Sequence, residues 1–455
     1  MRVFGIMLTR REKLGYEMML LPSLEEFVPA DDPLRKLNRI LDLGFLREAV
    51  KGKYCPDNGR PSIDPEVVIR LFVLQAFEGI ASVRELMRQV HANLTYRWFI
   101  GYPITEAVPD HSTLSKALDR LGDELFNDLF NCSIAQCRRA GLIDGRVVHL
   151  DATVIRADLD ANHAHRSDRS DPDARIGRGP GGQMIPSYKQ QTVVDASSRV
   201  VLGIEVTAGN EPDQRHATQA VDQACAHLEQ APQVVCADSG YGTGPNRAAM
   251  EQRGIRLVSP PQRVVKPNRE AFFPVEDFAY DEDRNVFICP AGQTLHAERT
   301  TDKSGRKRRY RLARPVCQSC ALKARCTPKA PRVLRVSSHY AALLRLRKDA
   351  MTEDFRTLYR ARAPVIEGVF AEAKMWHGLR RAWRRGLSNM RVQCYLIAAV
   401  LNFKRLAASI GLIPGIERLL GALLSHLLAA RRVVWMNHAR LTLSALMTAD
   451  VARLR

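Results

Sequence analysis

Arg146-Val-Val-His-Leu-Asp151 is a short β-rich run that closes on a carboxylate, and Val234-Val-Cys-Ala-Asp238 is a second run of the same kind. Between them, Tyr188-Lys-Gln-Gln-Thr-Val-Val-Asp195 and Val200-Val-Leu-Gly-Ile-Glu-Val-Thr207 alternate like hairpin strands, with Ala196-Ser-Ser-Arg199 as the turn. Residues 213–229 have helical spacing, Gly244 to Arg253 reads as a further helix, and Ile255-Arg-Leu-Val258 is strand-like. Three strands, helix, strand, helix, strand is the order of an α/β layered domain with a mixed sheet. If the two carboxylate-ending strands are neighbours, Asp151 and Asp238 emerge at one edge. Paired carboxylates there are hard oxygen donors of the kind Mg²⁺ prefers. Metal ions so held can clamp the attacking and leaving oxygens of a phosphoryl displacement. One Asp after a strand is more often a turn or cap residue. Two of them, with a late helical Glu in a basic chain, carry more weight.

The charge balance agrees with that chemistry. The 455 residues include 68 Lys or Arg against 49 Asp or Glu, a formal net charge of +19. Such an excess points to a polyanionic partner, nucleic acid or an anionic membrane surface. Apolar residues make up 45% and charged residues 26%, a balance that excludes wholesale disorder. No charge-free apolar run reaches the ~18 residues of a spanning helix. The opening stretch puts Arg10 and Arg11 after its short apolar run, the reverse of a signal peptide. The expectation is a cytoplasmic, nucleoid-associated protein with no membrane partner.

Outward from the sheet, residues 1–140 read as an all-helical N-terminal domain. Asp64-Pro65 and Ser82 supply helix caps, another helix starts near His111, and the next carries Leu125, Leu129, Ile134 and Cys137. This basic, helical module either reads DNA grooves or simply packs. Residues 159–187 read as a polar loop. From Pro260 to about Lys348 the chain is Pro-rich and Cys-containing with little long-range period, and Lys303 to Lys348 holds fifteen Lys or Arg and no Asp or Glu. Helix returns near Asp354 and runs through Glu367, followed by the apolar segment Val392–Leu406. The tail after Ile413 is amphipathic and suits packing or self-association.

Cys289-Pro290 opens a set completed by Cys317-x2-Cys320 and Cys326. Four thiols with one tight pair match a structural tetrahedral Zn²⁺ site closing a loop too irregular to hold itself. The other six Cys fall mostly in apolar patterns and read as core. His163 and His165 lie in a polar loop without partners at ligand spacing. Gly177 to Gly182 follows no predicted strand and lacks the Lys-Ser/Thr of a phosphate-binding loop.

His149-Leu-Asp-Ala-Thr153, Tyr188-Lys189, Asp195, Ala237-Asp-Ser-Gly-Tyr241, and Glu367 with Phe370 and Lys374 together resemble bacterial insertion-sequence transposases of the DDE class. The resemblance lies within the IS4/IS5-like grouping, closest to the IS1182 type. Phe27-Val-Pro-Ala-Asp-Asp-Pro-Leu-Arg35, Arg60-Pro61 and Asp110-His-Ser-Thr113 extend it to the N-terminal helices, and it covers about residues 20–406. It implies a ribonuclease-H-like sheet over 141–258 and 356–410, an insertion over 259–355 and a helical tail over 411–455. It makes Asp151 and Asp238 the first two catalytic carboxylates, with a helical Glu as the third.

Glu367 and Glu372 are the candidates for that third position and stand about 140° apart on a helix, so both cannot face one site. Glu367 reproduces the family's Glu-x6-Lys spacing to Lys374, and Pro364 suits the first turn of its helix. Glu372 reads as a solvated partner of neighbouring Lys or Arg. The family signature Tyr-x2-Arg-x3-Glu-x6-Lys fits Tyr359-x2-Arg362 but finds four residues, not three, before Glu367, which leaves Arg360 as a rival phosphate contact. Ala152 stands where the family usually has Gly or Ser. The implied catalytic ions are Mg²⁺ or Mn²⁺. The expected DNA contacts are Tyr188, Lys189, Tyr359, Arg362, Lys374, Arg380 and Arg381, with Arg306, Lys307, Arg308 and Arg309 from the basic insertion. The implied activity is cleavage at the terminal inverted repeats of an element and strand transfer into target double-stranded DNA, by a homodimer or larger assembly. A zinc-containing DNA-binding regulator, or a nuclease without strand transfer, is the alternative.

Overall fold

The computed structural model of the protein describes residues 23–54, 62–159, 171–262, 272–301, 307–329 and 331–410. Cys55, His163, His165, Arg306 and the tail after Ile413 lie outside the described residues. Seven helices come first: α1 (Leu24–Phe27), α2 (Pro33–Ile40), α3 (Leu46–Val50), α4 (Pro65–Glu78), α5 (Val83–Ala92), α6 (Leu94–Ile100) and α7 (His111–Arg139). Their starts are written in side chains. Asp64 accepts the Glu66 N–H at 2.9 Å with Pro65 in the first turn, Ser82 accepts that of Glu85 at 3.2 Å, and Asp110 accepts that of Ser112 at 2.8 Å. The two apolar stretches after His111 form one rod, broken at Gly122, whose φ of 72° interrupts the helix.

The main sheet has six strands: β1 (Val147–Arg156), β2 (Arg175–Arg178), β3 (Met184–Asp195), β4 (Val201–Ala208), β5 (Val234–Ala237) and β6 (Arg256–Val258). The order β2-β3-β1-β5-β6, with β4 also on β3, is antiparallel on the β3 side of β1 and parallel through β5 and β6. The mixed α/β sheet expected from the sequence is present. Its β2 falls within the stretch read as a polar loop, because four residues reading Arg-Ile-Gly-Arg carry no apolar alternation.

Helices α8 (Ala217–Leu228) and α9 (Gly244–Gln252) fill the crossovers. The second sheet is an antiparallel meander of β7 (Ala279–Asp281), β8 (Val286–Ile288), β9 (Thr294–Thr301), β10 (Lys307–Arg311) and β11 (Val333–Ser337), with α10 (Arg314–Gln318) and α11 (Lys323–Cys326) between the last two strands. The expectation of an irregular insertion is thereby corrected. Four of its five strands have only three to five residues, with basic side chains at most β10 positions, too short to display a period. The meander has its own apolar centre in Phe278, Phe287, Leu295, Tyr310 and Leu334, where the Phe287 and Tyr310 rings meet edge to face at 4.8 Å.

Helix α12 (Tyr340–Asp349) leads back, and Asp349 accepts from Arg256 on β6 at 2.7 Å and from Arg247 on α9 at 3.0 Å. The chain ends in two long helices, α13 (Glu353–Trp376) and α14 (Leu387–Ser409). No described helix is long and apolar enough to cross a membrane.

One apolar core runs from Leu34 through the sheet to Ala407, so the N-terminal helices and the sheet share it. Asn402 on α14 sits at that junction. Its Oδ1 accepts the Val201 N–H at 2.8 Å, and its Nδ2 donates to the Val201 carbonyl at 3.0 Å and to Ser133 Oγ of α7 at 3.1 Å. Both backbone groups of Val201 depend on this one fully buried amide. Asn402→Leu strands them without partners, and chemical denaturation should show a loss of roughly 3 kcal/mol.

Candidate active site

The parallel ladder between β1 and β5 ends at the pair Leu150 and Ala237, so Asp151 and Asp238 are the next residue on each strand. Asp151 is not a strand terminus, as the sequence suggested. β1 continues to Arg156, and Asp151 lies opposite Thr192 of β3. Asp238 does leave its strand, and its Oδ1 accepts the Gly240 N–H at 2.9 Å to cap the turn Ser239–Tyr241. A Cβ at Gly240 would lie 2.9 Å from that same oxygen, and one at Gly242 would lie 1.9 Å from the Pro260 carbonyl. The glycines of Asp238-Ser-Gly-Tyr-Gly242 therefore answer close approaches.

Burial pushes the Asp151 and Asp238 carboxyls up, and the Asp151 charge adds to the rise at Asp238. The opposing charge comes from α13. Arg362 Nη1 donates to Asp151 Oδ2 at 2.7 Å, while Oδ1 accepts the Ala152 N–H at 2.8 Å. Arg362 is 7% exposed, with its guanidinium 5.6 Å from the Tyr359 ring centroid. Arg360, the rival, is exposed and pairs with Glu353 at 3.5 Å.

A third carboxylate, Asp213, also bears on Asp151 and Asp238. It accepts Lys189 Nζ at 3.0 Å and Gln191 Nε2 at 2.9 Å, and Gln191 Oε1 in turn accepts the buried Tyr241 hydroxyl. The chain Lys189–Asp213–Gln191–Tyr241 thus braces the turn that carries Asp238. Asp213 was not singled out in the sequence because a lone Asp behind Pro212 reads as a turn residue. Lys189, expected on DNA, is committed to Asp213 and to the Glu211 carbonyl at 3.0 Å.

Other expectations need correction. Tyr188 is fully buried, its hydroxyl donating to Asp171 at 2.7 Å and accepting the Gly386 N–H at 3.1 Å, so it ties β3 to the start of α14 and offers nothing to a phosphate. Asp195 is likewise buried and accepts from Gly145 N at 2.8 Å and Ser198 N at 2.9 Å, closing the β3–β4 turn. Pro364 is inside α13, not in its first turn, because Thr352 caps that helix through Phe355 N at 3.3 Å. Glu372 is not solvated. Although burial works the other way, His377, Arg405 and Lys404 hold its carboxyl well below the usual carboxylate range.

Glu367 lies five residues beyond Arg362 on α13 and is exposed. Lys374 is half-buried with no carboxylate partner among the described residues, and burial, with help from Arg380, pushes its ammonium down. Arg380 is exposed and donates to the Lys374 carbonyl at 3.2 Å, whereas Arg381 pairs with Asp158 at 2.6 Å. In the second sheet, Lys307, Arg308 and Arg309 lie on β10, and Glu298 of β9 pairs with Arg309 at 3.4 Å and with Arg311 at 3.1 Å.

Cys289, Cys317, Cys320 and Cys326 all line one cavity of about 300 Å³. Cys289 starts a tight turn in which its Sγ accepts the Gln293 N–H at 3.3 Å. As placed, no three His, Cys, Asp or Glu side chains stand at metal-ligand spacing among the described residues, here or at the Asp pair.

Comparison with known proteins adds identity to this geometry. No curated protein matches the chain. Among solved structures it is similar to the piggyBac transposase in a cryo-EM synaptic complex with hairpin DNA, at 11% identity over 87% of this chain and 84% of that one, with a TM-score of 0.34. It is also similar to the Mos1 mariner paired-end complex with Mn, at 12% identity over 51% and 70%, with a TM-score of 0.16. Both likenesses are distant. Two family models match by sequence: a transposase domain (DUF772) over residues 22–120 and a transposase DDE domain over residues 288–407. The second spans Arg362, Glu367 and Lys374 together with the Cys-lined cavity, and the chain is a DDE transposase.

Proposed function

We propose that the chain is the transposase of an insertion sequence of the IS4/IS5-like grouping, closest to the IS1182 type, which cleaves DNA at the element's terminal repeats and joins the freed ends to target DNA. The observation that carries this reading is the register in which Asp151 and Asp238 stand side by side, with Arg362 of α13 against them. Asp151 and Asp238 are the residues that would hold Mg²⁺ or Mn²⁺; Glu367, about 140° round α13 from Arg362, is the third carboxylate the family pattern supplies and would join them only on a rearrangement of that helix. The donor set fits a hard divalent cation: both Asp are charge-crowded oxygen donors, and each gives just one oxygen to a backbone N–H. When bound, the ion stabilises charge on the phosphoryl oxygens and activates the attacking oxygen. Lys374 and Arg380, with no carboxylate partner among the described residues, are suited to hold flanking phosphates, and Arg381 joins them on release from Asp158. The Lys189–Asp213–Gln191–Tyr241 chain keeps the Asp238 turn in place while DNA binds.

Replacing Asp151, Asp238 or Glu367 by Ala should lower metal-dependent cleavage of an end-bearing duplex by about 10²-fold or more, while affinity for that duplex holds or rises. Gel assays of nicking, joining and binding read all three quantities. Ordinary cleavage by any one variant removes that residue from the site, and nicking without joined products identifies a nuclease.

The four cysteines read as a structural Zn²⁺ site that fastens α10 and α11 to the meander. Metal analysis of native, reduced protein should find about one zinc per chain, lost with Cys317→Ser and Cys320→Ser together. A zinc-free native protein rules the site out.

The basic insertion is proposed to track duplex backbone within a homodimeric or larger assembly holding two ends. Each phosphate contact contributes about −0.9 to the slope of log affinity against log salt. Changing Arg306, Lys307, Arg308, Arg309, Arg311 and Arg314 to Gln should flatten that slope by about three to five units. The lower figure applies if Glu298 keeps Arg309 and Arg311 in its own ion pairs. An unchanged slope moves the contact to the N-terminal helices.

A further inference from the structure

Arg362 is an unusual occupant for a metal-binding carboxylate pair. Its guanidinium carries five N–H donors, yet among the described residues only Nη1 reaches an acceptor, Asp151 Oδ2 at 2.7 Å. Its Nε is buried without a partner, although the residue is 7% exposed. A buried donor left unpaired costs free energy that a better acceptor recovers. A phosphate, which accepts an Arg fork at two oxygens, is such an acceptor. The helix is locally loosened at the same place. Pro364, two residues on, lacks the N–H that would bond the Arg360 carbonyl, so the turn carrying Arg362 is one helix bond short.

We propose that Arg362 is a resident cation that occupies Asp151 in the DNA-free protein and is drawn off by a DNA phosphate, so that divalent-metal loading is coupled to DNA binding. This rests on the reading of Asp151 as a metal ligand. With Arg362 in place, one oxygen of Asp151 is taken and the acid pair is partly neutralised, both of which weaken the hold on a cation. When phosphate takes the fork, the carboxylate is returned to the site. Apparent metal affinity then scales with the fraction of molecules in which Arg362 has left. Cleavage chemistry would be armed only where its substrate is present.

The test is Mn²⁺ binding by the full-length protein, read from the electron paramagnetic resonance signal of the free ion. Without DNA, Arg362→Gln should bind Mn²⁺ about tenfold or more tightly than wild type. Arg360→Gln removes an equal charge from the same helix, where the side chain is exposed and paired with Glu353, and should shift binding far less. Equal gains in the two variants mean that only net charge matters and overturn the proposal. A 40-base-pair duplex, after subtraction of Mn²⁺ held by DNA alone, should tighten binding by wild type and leave Arg362→Gln unchanged; the same gain in both overturns it too. Asp151→Asn separates the two levels of the argument. If it leaves Mn²⁺ binding intact, the site reading itself fails. If it abolishes binding while Arg362→Gln brings no gain, only the coupling fails. Should Arg362→Gln be too unstable to titrate, its melting temperature serves instead, and Mn²⁺ should raise it further than it raises that of wild type.

Discussion

Two half-buried carboxylates side by side repel each other and resist ionisation, and much of the architecture around β1 and β5 answers that constraint. The ladder fixes Asp151 and Asp238 as neighbours, so a positive group must come from outside the sheet. Helix α13 delivers it as Arg362, and the need to seat that guanidinium ties the helix to this part of the sheet. On the other flank, Asp213 adds a further negative charge that Lys189 balances. The glycines after Asp238 let its turn close against Pro260 without a side chain in the way. The result is a site poised between repulsion and neutralisation, the condition in which an added cation or phosphate changes the balance most.

Much of the sheet was legible because its signals are local. The runs ending at Asp151 and Asp238, the hairpin at 196–199 and the caps at Asp64, Ser82 and Asp110 each lie within a few residues of one another. What escaped depends on contacts distant in sequence. Asp213 matters because Lys189 and Gln191 reach it across the sheet, which no spacing announces. Tyr188 looks like a DNA contact, yet the fold turns it inward, where its hydroxyl ties β3 to the start of α14. Glu372 looks like an ordinary surface acid until α14 sets Lys404 and Arg405 against it. Pro364 misleads through a sound local rule: prolines favour first turns, but Thr352 and an apolar face starting at Phe355 begin the helix a full three turns earlier.

The N-terminal helices belong to the same body as the sheet. Helix α4 is buried from Val68 to Ala76 apart from Arg70, α7 lies along α14, and Asn402 joins α7 to β4. A groove-reading role for this region is confined to what those contacts leave outside. Movement of these helices relative to Asp151 would break a continuous apolar core, so DNA held by them would sit at a fixed distance from the carboxylates.

The second sheet stands in a different relation to the whole. Its apolar centre is its own, and both of its stalks are gripped close together, where Asp349 meets Arg256 and Arg247. Arg345 of α12 adds a further tie, bridging Glu282 of the meander and Glu251 of α9. Lengthening a connection within the meander would therefore leave the carboxylate pair where it is, since loop closure becomes only slowly more costly as residues are added.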